Sequence, residues 1–186
     1  MEALLRITSI YLIAAIAYAP NLVGLEFQAG PTVGLFQQPT SQYYHVVYGG
    51  NISAENNSRT FGARYQFVER PRFESAGFAD QESVHTLLLG GKVKDLWRRA
   101  ELSAFAGGGQ VQGYLKPTSE QSKELYERRG YLIRGLALEL SLAAHISKIR
   151  LAVSHQTIVG ISSESELKSY VAWPYTLYNL SIGCIL

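Results

Sequence analysis

The sequence predicts an all-β fold, an antiparallel up-and-down transmembrane β-barrel of about eight strands preceded by a signal peptide over residues 1–17. Three observations carry this expectation. The N-terminus holds an apolar run that ends in small residues. The rest of the chain alternates in polarity over segments of about ten residues, separated by turn-rich connectors. The face opposite the apolar one is small and sparsely charged, unlike a surface made for water.

The run Ile7 to Ala19 is broken only by Thr8 and Ser9 and follows Arg6. Ala15-Ile16-Ala17 places small residues where a signal peptidase reads, so the expected cut precedes Tyr18 and residues 18–186 form the barrel. A spanning anchor is the competing reading, but it needs roughly 20 apolar residues, and Pro20 closes this run earlier.

Composition agrees with a sheet. Of the 186 residues 17% are charged, against a usual share of about 25%, while Gly (17) and Tyr (12) are frequent and Pro (6) is sparse. The net charge of +2, with no basic run, gives no support for nucleic acid. The single cysteine, Cys184, excludes an intrachain disulfide and a Cys-based metal site.

Strands are expected near 25–36, 43–53, 59–68, 83–93, 98–114, 129–143, 148–160 and 169–186. The connectors near 69–82 and 115–128 are long and charged, whereas those near 94–97 and 144–147 are short. Long external loops and short periplasmic turns are the asymmetry of exported barrels. The first pair, near 37–42 and 54–58, is of similar length and does not show it.

The two faces decide between a membrane barrel and a soluble one. Leu136, Leu138, Leu140 and Leu142 recur at period two, opposite Gly135, Ala137 and Ser141. Lipid outside and a side-chain-filled lumen explain both faces; a soluble lipocalin-like barrel would expose the Gly/Ser face to water. Charges on the small face are then lumenal, because Arg or Lys facing lipid at mid-depth costs roughly 2–4 kcal/mol. The expected network is Arg64, Lys92, Glu101, Glu139 and Arg150. A turn centred between Asp95 and Leu96 sets Gly90 opposite Glu101 and Lys92 diagonal to it. A turn near 145 likewise sets Glu139 diagonal to Arg150. Such a network fills and rigidifies the barrel; gating or ion passage is the alternative.

Arg134 shares parity with the leucines but lies near the outer start of its strand, where it is expected to meet lipid headgroups. Tyr43, Tyr44, Tyr114, Tyr131, Trp97 and Trp173 collect near strand ends, as an interfacial belt would.

In the last segment Tyr178, Leu180, Ile182, Cys184 and Leu186 alternate with Asn179, Ser181, Gly183 and Ile185. With the leader, the alternating strands and the long loops, the chain resembles the small outer-membrane β-barrels, the OmpX-like, OmpA-barrel-like and OmpW-like group. The resemblance implies an outer-membrane location, contact with outer-membrane lipids and the barrel-assembly machinery; from that location the outer loops face the environment and are expected to meet an external ligand. Two departures stand out. The chain ends in Leu186, where members commonly end in Phe, and Pro174 implies a bulge or kink that leaves the register before Tyr175 open.

His155 and Thr157 lie two apart on the seventh expected strand, on the apolar face and toward the outer leaflet. The pair resembles the His-x-Ser of PagL-type lipid A deacylases, in which an imidazole activates a hydroxyl against an ester. Here the hydroxyl belongs to Thr157, Ile158 stands where that family has Asn, and Lys168 or Ser169 stands near its orienting Glu. Glu164 and Glu166 are nearer acids in sequence. No phosphate loop, dinucleotide fingerprint or zinc spacing occurs, so no cofactor and no metal is expected. The leading expectation is a non-catalytic outer-membrane barrel with external loops for surface binding or envelope integrity. A deacylase, a narrow channel and a periplasmic lipocalin-like binder are the alternatives.

Overall fold

A computed structural model describes residues 24–38, 43–71, 73–75, 78–118, 129–165 and 174–185. The expected signal peptide lies outside these residues. The strands are β1 (Leu25–Gln37), β2 (His45–Asn56), β3 (Gly62–Glu69), β4 (Phe73–Ser75), β5 (Phe78–Trp97), β6 (Ala100–Pro117), β7 (Arg129–Ile146), β8 (Ile149–Ser165) and β9 (Pro174–Ile185). Each long strand pairs antiparallel with its neighbours, and β1–β9 and β3–β5 pairings close the sheet. The result is an eight-stranded barrel; β4 pairs only with the start of β5.

The two ends differ more sharply than the sequence suggested. One end is joined by residues 57–61, 98–99 and 147–148, the other by 38–44, 70–77, 118–128 and 166–173. The first pair of connectors stays similar in length, seven residues at 38–44 against five at 57–61, so the later connections carry the asymmetry. Ser147 makes its tight turn in the left-handed region (φ 57°).

Strand faces follow the expected parity. Leu136, Leu138 and Leu140 point outward with 57–58% exposure, while Ala137, Glu139 and Ser141 between them are buried. A narrow barrel bends its strands hard, and glycines without a Cβ permit the close approach. A Cβ on Gly135 would stand 1.9 Å from the Val159 carbonyl oxygen, and one on Gly30 would stand 1.7 Å from that of Ile182.

The lumen divides into two halves, a feature the sequence reading did not contain. Toward the long connections Phe36, Val47, Val68, Val84, Val111, Ile133, Ile158, Tyr175 and Leu177 form one buried apolar cluster. The Phe36 and Tyr175 rings stack there, 6.0 Å apart. Toward the short turns the lumen is polar, with Gln28, Glu55, Arg64, Glu101, Glu139, Arg150 and Asn179 buried.

Two hairpin registers differ from expectation. Gly90 faces Phe105 instead of Glu101, because the β5–β6 turn falls at 98–99. Irregularities between Lys92 and Lys94 and between Asp95 and Trp97 absorb extra residues on the β5 side. Glu139 faces Gln156, and Arg150 faces His145, since β7 runs to Ile146. Both hairpins close later in the chain by an even slip of the register, so Gly90, Glu101, Glu139 and Arg150 keep their faces while their partners change. Pro174 opens β9 opposite Val159 instead of interrupting the strand, a position where its missing N–H costs no interior ladder bond.

Candidate functional site

The polar half of the lumen brings four of the five expected charges into ion pairs with one another or with nearby partners inside it. Arg64, on β3, extends one guanidinium nitrogen to Glu139 on β7 and the other to Glu55 on β2, the latter at 3.3 Å. Its guanidinium carbon lies 4.1 Å from the centroid of the Phe105 ring. Gln156 donates to Glu139 Oε2 at 3.3 Å and to Thr86 Oγ1 at 3.2 Å, which fixes the carboxylate from its far side. One buried cation thus holds two buried carboxylates, the condition under which charges tolerate a low-dielectric interior.

Nearer the short turns Glu101 receives Arg59 Nε at 3.1 Å, Arg150 Nη2 at 3.6 Å and His145 Nε2 at 3.1 Å. Arg59 reaches in from the β2–β3 turn, where its backbone is left-handed (φ 56°) and its carbonyl accepts from Lys92 N at 2.6 Å. Arg59 Nη1 also donates to His145 Nδ1 at 3.1 Å, which leaves the imidazole proton on the nitrogen facing Glu101. Lys92 does not join Glu101. Opposite Ser103, it is still diagonal to Glu101 as expected, yet it pairs with Asp95 at 3.0 Å. Arg59, Glu55, His145 and Gln156 were absent from the sequence expectation. The expected second strand stopped at residue 53, yet the parity of Ser53 extends to Glu55 and could have found it.

At the long-connection end the buried Glu82 accepts from the Gln38 amide and the Tyr131 hydroxyl, and Arg70 Nε stands 3.5 Å from it. Strands β1, β3, β5 and β7 are thereby tied above the apolar cluster. Tyr131 turns inward to this cap and does not belong to an interfacial belt; it packs against the apolar cluster. Trp97, Tyr43 and Tyr44 are exposed, with Trp97 at 76%. Trp173 lies outside the described residues, and Tyr114 lies on β6 opposite Gln81.

Arg134 is half-buried on the outward parity of β7, opposite Gln110, beside a ladder irregularity at Gly135. His155 and Thr157 also face outward, with His155 Nε2 and Thr157 Oγ1 3.1 Å apart. The imidazole packs on Tyr178, ring centroids 4.8 Å apart. A shallow hollow of about 240 Å³ adjoins His155, lined also by Leu140, Leu142, Val153 and Tyr178. His155 pairs across with Leu140 and Thr157 with Leu138, in the middle of the leucine stripe and near the midpoint of β8, which continues to Ser165. Among the described residues no carboxylate bonds His155; Glu164 is nine residues further along β8, about 30 Å at strand rise. Glu166, Lys168 and Ser169 lie outside the described residues. Among the described residues no three His, Cys, Asp or Glu side chains gather as a metal centre.

No family model and no curated protein matches the chain. Solved structures do. Ail, the attachment invasion locus protein of Yersinia pestis, determined in complex with the heparin analogue sucrose octasulfate, superposes with a TM-score of 0.59 at 12% identity, over 87% of this chain and 97% of that one. Neisserial surface protein A gives 0.59 at 7% identity, over 88% and 97%. The N-terminal β-barrel domain of Pseudomonas aeruginosa OprF gives 0.55 at 9% identity, over 86% and 97%. These likenesses concern the backbone, and they join an apolar exterior, a filled lumen and two unequal ends on the same strands. The chain has the fold of the small eight-stranded outer-membrane β-barrels.

Proposed function

We propose that the chain is a non-catalytic outer-membrane barrel whose long connections bind an external ligand. The observation that carries this reading is the filled lumen. An apolar cluster occupies one half and ion pairs the other, so neither a diffusion pore nor a ligand cavity of the lipocalin kind suits it. The lumenal charges act as a rigid internal scaffold. Arg134 contacts lipid headgroups at the outer rim, and the barrel-assembly machinery inserts the chain.

The Ail structure holds a sulfated sugar, which makes a heparin-coated surface a fitting first probe. Cells displaying the barrel should be retained on it above cells lacking the chain. Replacing residues 118–128 by a two-residue turn should abolish retention while heat-modifiable migration in detergent persists. No retention, or retention unchanged by the shortened connection, refutes loop binding of this ligand class. Planar-bilayer recordings test the closed lumen separately, and steady single-channel currents would refute it.

A second reading rests on the 3.1 Å contact between Thr157 and His155 beside the outward hollow. In it the imidazole takes the hydroxyl proton as Thr157 attacks a lipid ester. Its test is lipid A deacylation by the reconstituted barrel, with His155→Ala as control; absence of product from the unmodified chain rejects it.

A further inference from the structure

The short-turn end of the barrel carries a charge pattern that neither the lumen nor the loops explain. Lys94, Arg98, Arg99 and Lys148 are all exposed there. Asp95, between two of them, is held by Lys92 at 3.0 Å, so it does not offset the four. The cations sit on two adjoining hairpins. The Arg99 carbonyl accepts from the His145 amide at 2.7 Å, which seats the β5–β6 turn against the β7–β8 turn that holds Lys148. The Lys148 carbonyl in turn accepts from Ile185 N at 2.9 Å, anchoring that turn to the end of β9. Apolar side chains stand at the same level. Val93 is 65% exposed, Trp97 76% and Ile146 51%.

We propose that this rim is a docking surface for anionic phospholipid headgroups in the leaflet on the short-turn side. Each part of the arrangement fits that partner. The apolar side chains mark where the hydrocarbon ends, and Trp97 has the amphipathic ring suited to the headgroup zone. Four cations with no acidic partner among the described residues sit just beyond, where a phosphate with a net negative charge gains most and a zwitterionic headgroup gains little. The side chains are long enough to reach from the turns to the phosphates while their stems cover the apolar edge. The surface is distinct from Arg134, which lies at the other end of β7, and it does not depend on any loop ligand. A soluble acidic partner would not require the exposed Val93, Trp97 and Ile146 beside the cations.

Trp97 reports on the site directly. In a Trp173→Phe background it is the single tryptophan of the chain. The barrel is folded into phosphatidylcholine vesicles that contain a minority of either brominated phosphatidylglycerol or brominated phosphatidylcholine. The surface predicts an enrichment of the anionic quencher around Trp97 of about five-fold, the worth of one near-surface cation. Added salt should weaken it, since exposed charges are screened. Changing Lys94, Arg98, Arg99 and Lys148 together to Gln should bring the two quenchers level. The pairwise variants Arg98→Gln/Arg99→Gln and Lys94→Gln/Lys148→Gln should each reduce the preference, which keeps the test decisive if the fourfold variant folds poorly. Equal quenching by both lipids in the unmodified barrel overturns the proposal. A preference that survives both pairwise variants overturns it too, since the lipid would then be held elsewhere.

Discussion

Replacing Arg64 by Met removes the cation from between Glu139 and Glu55 and keeps the volume of its stem. Arg64 and both carboxylates are 5% exposed or less, so water cannot take over its role. Breaking a buried pair by removing one partner costs about 3–5 kcal/mol. The contact with Phe105 adds about 0.5–2 kcal/mol. Glu139→Gln should cost less, about 1.5–3 kcal/mol, because it removes one charge-assisted bond while Arg64 keeps Glu55 at 3.3 Å. The double variant should be less destabilised than the sum of the two, by about 1–3 kcal/mol, since Arg64→Met strands the Glu139 carboxylate and the double change removes that charge. The measurement is equilibrium unfolding in urea from lipid vesicles, followed by heat-modifiable migration. The reasoning fails if Arg64→Met stays within about 0.5 kcal/mol of the unmodified barrel, or if the two changes add.

Glu101→Lys places a cation against Arg59 and Arg150 and should lower the folded yield in vesicles more than Asp95→Lys, whose side chain is 67% exposed. Gly135→Val should prevent folding, because its Cβ would meet the Val159 carbonyl at 1.9 Å; Gly108→Ala should be neutral, with nothing within 4 Å of its added carbon. The fraction migrating as the compact form in unheated samples checks both. Leu138→Arg should cost roughly 2–4 kcal/mol in lipid, as an arginine at mid-depth on the outward face, and much less in detergent that can rearrange around it.

The fold was legible because a membrane barrel writes its two solvents into alternate residues. The leucines of β7 and the small residues between them assigned inside and outside without any knowledge of partners. Partner identity was not legible in the same way. Asp95 looked like a turn former, whereas the chain turns at Arg98-Arg99, which carries no turn signature. Periodicity is blind to an even slip, so Glu101 and Arg150 were placed on the correct face beside the wrong neighbours. The inner apolar cluster escaped for a related reason. Phe36, Val68 and Ile133 share the lumenal parity of Gln28, Arg64 and Glu139 on their own strands, so one face changes character along its length. Arg59 could not be found from alternation, because it acts from a turn and reaches the lumen only through a left-handed backbone.

The ion pairs also constrain the order of events as the chain enters a bilayer. Arg64 and Glu139 are 75 residues apart and sit on strands that share no hairpin. Arg59 finds Glu101 only once the β2–β3 turn meets β6. If hairpins entered lipid one after another, each early arrival would hold a bare charge in hydrocarbon, at roughly 2–4 kcal/mol apiece. Waiting for the distant partner multiplies that penalty with every strand added. The least costly route keeps the inward faces together from the outset, so that closure and insertion advance as one step and the charges meet before either has seen the lipid.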